Sequence, residues 1–187
     1  MSLDYEAIRS LLETLEGESR KHYIPLIDRE DGAALAAIAY AAPRGLFLDL
    51  GAGVGYSTAW IAIGAAGKAG RIIAVEWDPD LAPRLKLHAD LIREATGVRV
   101  EVVNADAIEY LEQHRQELKG VAMAFVDIEK WQYKKALQLL APLTVPGGYI
   151  AFHNAFFPRP PKEFFDEANR YDHTIIPTPQ GLLIVRV

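Results

Sequence analysis

The sequence predicts an α/β fold built on a mostly parallel sheet, and three observations carry that prediction. From residue 45 onward, short apolar runs alternate with stretches of helical periodicity, the pattern of strands joined by helical crossovers. The first run, Gly45-Leu46-Phe47-Leu48-Asp49-Leu50, ends in glycines at 51, 53 and 55, and an apolar helical pattern opens at Tyr56. A buried strand, a tight Gly-rich turn and a helix start are how such a sheet builds a nucleotide-type site. Third, five successive apolar runs end in polar residues: Asp49, Glu76, Asn104 to Asp106, Asp127 and His153-Asn154. Ligands of open α/β sheets gather at those carboxyl ends.

Each element has its own signal. Leu3, Ala7, Ile8, Leu11, Leu12 and Leu15 stand at helical spacing over 3–16, and Gly17 is a fitting stop. A second, Ala-rich helix is expected from Arg29 to Ala42, ended by Pro43. After the first strand comes a helix over 56–66, then a β-branched strand, Arg71-Ile72-Ile73-Ala74-Val75, ending at Glu76. Asp78 and Pro79 suit the N-cap and first position of a helix running to Thr96, with Gly97 as its stop. Residues 98–103 form a third strand and 107–118 a helix. Val121-Ala122-Met123-Ala124-Phe125-Val126 is a fourth strand and 131–141 a short helix. Gly147-Gly148 starts a fifth strand through Phe152. Residues 156–161 read as a Pro- and Phe-rich loop, 162–170 as a helix, and 173–177 and 182–187 as strands around a turn, a terminal hairpin. The sum is a seven-stranded sheet with helices on both faces.

At 187 residues, one domain is expected, with N-terminal helices over 1–42 and a Rossmann-like core over 43–187. The net charge of −5 argues against a nucleic-acid partner. The absence of cysteine excludes thiolate and disulfide chemistry. Neither a signal peptide nor a membrane-length apolar run is visible, so the expected location is the cytoplasm, with no membrane partner. A homodimer is compatible with the sequence.

The strand ends suggest two clusters. In the first, the turn backbone and Ser57, in the first turn of the following helix, can hold an anionic group. Glu76 can accept hydrogen bonds from both hydroxyls of a ribose. Trp77 can stack on a purine or pack in the core. Asp106 can accept from an exocyclic amine, cap the next helix, or do both. In the second, Asp127, His153 and Asn154 present a carboxylate, an imidazole and an amide, which together can bind a divalent cation or simply hydrogen-bond loops. Lys130 can serve as a general base. His22, His88, His114 and His173 read as surface residues, and Phe156, Phe157, Phe164 and Phe165 as core or as a lip over the substrate.

These motifs, in this order, resemble those of class I methyltransferases that use S-adenosylmethionine (SAM), and among them the small cation-dependent catechol and caffeoyl-CoA O-methyltransferases. The resemblance rests on Ile27-Asp28-Arg29-Glu30-Asp31-Gly32, on LDLGAGVGYSTAW with its D-x-G-x-G-x-G pattern, and on AVEWDPD, FVDIEKWQY, VPGGYIAFHN and QGLLIVRV. It implies a Rossmann-like class I methyltransferase fold. It also implies methyl transfer from SAM to a hydroxyl of a small hydroxylated acceptor, aromatic ones included. By position, Asp49, Gly51, Ala52, Gly53, Gly55, Tyr56, Ser57, Glu76, Trp77, Asp106, Ala107 and Asp127 would surround SAM. Asp127, His153 and Asn154 would hold the metal, and Asp127 with Lys130 would be catalytic, Lys130 taking the hydroxyl proton. His153 stands where the family has an aspartate. That departure shifts preference from Mg²⁺ toward Mn²⁺, Fe²⁺ or Zn²⁺, or removes metal binding. The alternatives are methylation of a tRNA hydroxy-nucleoside and SAM binding without catalysis. A nicotinamide-dependent oxidoreductase is disfavoured by Tyr56 where the third glycine of G-x-G-x-x-G belongs.

Overall fold

A computed structural model describes residues 4–187; Leu3, counted above in the first helix, lies outside them. The chain runs α1 (Tyr5–His22), α2 (Arg29–Ala41), β1 (Gly45–Leu50), α3 (Tyr56–Ala65), β2 (Ala69–Glu76), α4 (Ala82–Thr96) and β3 (Val100–Asn104). It continues through α5 (Ala107–Gln113), β4 (Val121–Val126), α6 (Tyr133–Leu140), β5 (Thr144–Phe152), α7 (Lys162–Ala168), β6 (Asp172–Ile176) and β7 (Leu182–Arg186). The seven strands form one sheet in the order β3-β2-β1-β4-β5-β7-β6. Strands β1 to β5 are parallel, and β7 pairs antiparallel with both β5 and β6, so the expected class and C-terminal hairpin are found. After β3 the chain crosses back to the other side of β1. Strands β1 and β4 therefore lie side by side with their connections leaving in opposite directions, which opens a crevice at their carboxyl ends.

The strands are apolar on both faces because helices cover both. All of β4 is buried, as expected for a central parallel strand. One face packs Leu48, Leu50, Val126, Tyr133, Leu137 and Phe152 together. The other packs Leu15, Leu35, Phe47, Ile61 and Phe125.

Several boundaries differ from expectation. Helix α1 passes through Gly17 to His22 because its buried seam, Leu11, Leu12, Leu15 and Ser19, continues past the glycine. Asp4 caps its start, accepting from the N–H groups of Glu6 and Ala7. Its end falls at Tyr23, in the left-handed region at φ 55°, after a last turn carrying Arg20, Lys21 and His22 that suits the helix dipole. Helix α4 starts at Ala82, not Pro79. Asp78 spends its carboxylate on the N–H of Asp80 (2.8 Å), closing a separate turn first. Helix α5 stops at Gln113, five residues short of the expected end, and β5 begins at Thr144 and so takes in Pro146-Gly147-Gly148.

The contact that matters most for the site is between α2 and α3. A Cβ on Gly64 would stand 2.0 Å from the carbonyl oxygen of Ala36, and one on Gly32 would stand 2.3 Å from the Trp60 ring. Two glycines thus let α2 lie directly on α3, which carries the first turn of α2 to the carboxyl end of the sheet.

Two glycine replacements should act in opposite directions. Gly64→Ala must separate the helices and should lower unfolding free energy by about 1–3 kcal/mol. Gly17→Ala, inside α1 where a Cβ meets no atom within 4 Å, should raise it by about 0.5–1 kcal/mol. Urea unfolding of both variants checks the pair.

Candidate active site

The Gly-rich turn is shaped by close approach. Gly51 (φ 88°) lies against the end of β4, so that a Cβ there would meet the Asp127 carbonyl oxygen at 2.1 Å. Gly53 (φ 55°) faces open space instead, leaving room for a ligand to reach the backbone. The N–H groups of Gly51 and Ala52 both donate to Val75 O, which ties the turn to β2. Asp49 is fully buried beneath it. Its Oδ2 accepts from the hydroxyls of Ser57 (2.8 Å) and Thr58 (2.5 Å), while Oδ1 has no partner among the described residues. Burial pushes the Asp49 carboxyl up to about 7, against the opposing pull of those two hydroxyls. Because the Ser57 hydroxyl is spent on Asp49, an anion at the start of α3 would meet backbone N–H groups there. Tyr56 turns away and donates its hydroxyl to Glu16 of α1 (2.7 Å).

His88, expected on the surface, is buried in α4, with Nδ1 2.7 Å from Val54 O. It braces the turn from behind. Its position in the helical pattern carried a hint: it falls three residues after Leu85 and four before Ile92, both fully buried.

Glu76 is buried at the end of β2, with Oε2 accepting from the Gly53 N–H (2.7 Å) and Oε1 from the Asp78 N–H (2.9 Å). A carboxylate has about four acceptor positions, so lone pairs remain for a diol. Trp77 is 71 % exposed, which removes the core reading and leaves its face free for stacking. Asp106 caps α5 through Oδ1, accepting from Ile108 (2.8 Å) and Glu109 (3.0 Å), with Oδ2 uncommitted to the cap.

The second cluster is a chain of alternating charges. Lys130 Nζ donates to Asp127 Oδ1 (2.8 Å), Ile128 O (3.1 Å) and Tyr133 Oη (3.0 Å). Asp127 Oδ2 lies 3.1 Å from His153 Nδ1, and His153 Nε2 lies 3.2 Å from Asp31 Oδ2, a fully buried carboxylate in the first turn of α2. Burial alone would depress the imidazole, but hydrogen bonds and charges from Asp127 and Asp31 outweigh it and raise His153 to about 9. Burial likewise works to raise Asp127, and the His153 and Lys130 partners hold it below the usual carboxylate range.

This arrangement does not fit the expected metal trio of Asp127, His153 and Asn154. A ligand imidazole needs a free lone pair, and both His153 nitrogens face carboxylates in opposite directions. Asn154 donates its amide nitrogen to Phe157 O (2.9 Å) and Gln180 Oε1 (3.1 Å), holding the loop after β5. Among the described residues no group of three or more His, Cys, Asp or Glu converges to hold a metal ion.

Gly51, Gly53, Glu76, Trp77, Asp106, Ala107, Asp127, Lys130, His153 and Asn154 nevertheless line one cleft of about 700 Å³. Of the expected site residues, Asp49, Ala52, Gly55, Tyr56 and Ser57 do not line it. The cleft also has walls that sequence reasoning missed: Trp131, 71 % exposed, and the segment Ile24-Pro25-Leu26. Phe164 belongs to the core, while Phe156 and Phe157 are exposed outside the cleft. Its room, the open side of Gly53 and the free lone pairs of Glu76 fit a nucleoside-bearing cofactor.

A family model for a methyltransferase domain matches residues 48–155. Comparison with curated proteins gives no match. Among solved structures, an O-methyltransferase from Bacillus cereus in complex with SAH superposes with a TM-score of 0.81 at 20 % identity, over 95 % of this chain and 91 % of that one. The O-methyltransferase TomG from Streptomyces achromogenes, involved in tomaymycin synthesis and in complex with SAM, gives 0.74 at 20 %, over 98 % and 90 %. A methyltransferase from Geobacter sulfurreducens gives 0.75 at 18 %, over 100 % and 93 %. At such identities the likeness establishes the fold.

His153 makes stability depend on pH. Its folded value of about 9 exceeds the ordinary imidazole value of 6.5, so its contribution is complete below about pH 6.5 and gone above about pH 9. The stability gap between the protein and His153→Gln should therefore be largest near pH 6 and shrink by about 3 kcal/mol by pH 9.5. Urea unfolding across that range measures it, and a gap independent of pH would mean the ring is not charged.

Proposed function

The chain belongs to the methyltransferase-domain family, and on that premise we propose that it transfers a methyl group from SAM to a hydroxyl of a small acceptor. The observation that carries this reading is convergence. The open glycine turn, the buried Glu76 carboxylate, the exposed Trp77 and the Lys130–Asp127 pair all line one cleft at the topological switch point. The described likeness to O-methyltransferases supports the hydroxyl as acceptor. Residues 1–42 and 43–187 act as one functional unit, because Asp31 of the first part completes the charged chain of the second.

When bound, SAM supplies an electrophilic sulfonium methyl; the chain's residues hold and orient the reactants and take the proton. Glu76 holds the ribose, Trp77 covers the adenine and Asp106 with Ala107 frames its edge. The turn backbone from Gly51 to Gly55 receives the methionine end. Lys130, having first released its own ammonium proton to the water of the open cleft, takes the proton of the acceptor hydroxyl as the oxygen–methyl bond forms. The ammonium so made meets three acceptors already in place, Asp127 Oδ1, Ile128 O and Tyr133 Oη. Orientation does the rest of the work. Trp131 and the apolar edge at Ile24 and Leu26 give the acceptor a flat, apolar seat, which favours an aromatic ring. The cations lining the cleft are Lys130 and His153, each paired with a carboxylate. Nothing among them offers a polyanion a basic rim, so a tRNA substrate is disfavoured.

Titration calorimetry should show SAM binding that Glu76→Ala weakens at least ~10-fold, the loss of one charged hydrogen-bonding partner being worth about 1.5–3 kcal/mol. Lys130→Met should leave SAM affinity within a few-fold and lower methyl transfer by ~10²-fold or more, read as SAH release across a panel of phenols and catechols. Absence of SAM binding would end this reading. SAM binding with no transfer to any acceptor, in both proteins, would favour a SAM-binding protein without catalysis.

A further inference from the structure

We propose that this active centre dispenses with a divalent ion because His153 takes the ion's place, tying Asp31 and Asp127 together through its two ring nitrogens. Asp31 is thereby a positioning residue for the reaction proposed above, on which this inference rests.

Two features of the centre exclude an ion. First, a metal site needs lone pairs that converge on one point. Here the ring stands between the two carboxylates, 3.1 Å from Asp127 Oδ2 on one side and 3.2 Å from Asp31 Oδ2 on the other. The acids face opposite edges of the imidazole and cannot share an ion without removing it. Second, the remaining carboxylate oxygen of Asp127 is taken by Lys130 Nζ at 2.8 Å. The two acids are thus matched by two basic side chains of the same chain, and a divalent ion entering there would be unbalanced by charge.

Asp31 is what makes this arrangement rigid. It is fully buried, and its Oδ1 has no partner among the described residues, so its only side-chain hydrogen bond goes to His153. A buried carboxylate is held at high cost unless paired, which presses the ring toward Asp31 and fixes the ring's other nitrogen on Asp127. Asp127 in turn holds Lys130 at the cleft. The close α2–α3 contact through Gly32 and Gly64 sets where Asp31 can stand. The chain of positions therefore runs from a helix–helix contact to the group that faces the acceptor.

The same geometry holds a latent site. A carboxylate in place of the ring would leave Asp31, Asp127 and the new acid around one vacated volume with a single lysine to balance three negative charges. Such an all-oxygen donor set suits Mn²⁺ or Mg²⁺.

The test is Mn²⁺ binding to the protein without SAM, followed by electron paramagnetic resonance of free Mn²⁺ and by thermal shift. The natural protein should bind no Mn²⁺ up to about 1 mM, and its melting temperature should be the same in Mn²⁺ and in EDTA. His153→Asp should bind Mn²⁺ at least ~10-fold more tightly than the natural protein and gain melting temperature with it. His153→Asn, which puts a smaller, uncharged side chain in the ring's place, covers the case in which His153→Asp does not fold. It should bind Mn²⁺ more tightly than the natural protein as well. Sub-millimolar binding by the natural protein overturns the proposal. So does failure of every folded His153 variant to bind, because His153 would then not be what keeps the ion out. In activity, the natural protein's SAH release should change less than about two-fold between EDTA and Mn²⁺. Asp31→Asn should lower kcat with SAM affinity unchanged and shift the pH profile of kcat; an unaltered profile would leave Asp31 no positioning role. The Mn²⁺ measurements need no substrate, so they stand or fall apart from the methyl-transfer reading.

Discussion

His153, held between Asp31 and Asp127, is the interaction on which the centre depends. Among the described residues it is the one side-chain hydrogen bond between the first turn of α2 and the carboxyl ends of β4 and β5. Breaking it would strand Asp31, a carboxylate with no solvent exposure and no other side-chain partner. Leaving such a charge unpaired is among the most destabilising single changes a core can suffer. The pair also explains why α2 packs on α3 through glycine: any thicker contact would lift Asp31 away from the ring.

The cleft divides into two halves with different physics. The half around the Gly-rich turn is built from backbone geometry. Positive φ at Gly51, Gly53 and Gly55, the Asp49 carboxylate gripping the start of α3, and His88 under Val54 make a rigid seat. The half around Lys130 is built from charge. There, Lys130, Asp127, His153 and Asp31 alternate in sign and are largely shielded from water, so each holds the next in place more firmly than the same pairs would on a surface.

How much of this was legible in the sequence follows the same division. The half around the Gly-rich turn is local in sequence: a strand, three glycines and an acid at the next strand end announce themselves by spacing, and Gly51, Gly53, Glu76, Trp77 and Asp106 line one cleft. The mostly parallel sheet and its terminal antiparallel hairpin likewise follow from alternation, whereas the strand order comes from the fold. What sequence pattern alone hides is contact across distance. Asp31 sits 122 residues from His153, in a segment noted only as part of a motif, so its partnership with the ring had no local trace. For the same reason a carboxylate, an imidazole and an amide left two readings open, a metal set or loop hydrogen bonds, because the ring's partner on its far side is not local. The end of α1 and the start of α4 were misplaced because Gly17 and Pro79 speak only for propensity. A buried seam and a competing side-chain turn overrode them.

The most direct measurement of the central claim is the nitrogen spectrum of His153 in ¹⁵N-histidine-labelled protein at neutral pH. A ring that bridges two ionised carboxylates donates from each nitrogen, so the account predicts that both resonate as N–H. Neither should respond to added Mg²⁺ or to EDTA, and both should change together in Asp31→Asn. A ring with one bare nitrogen, or one whose signals move on adding the ion, would contradict the account.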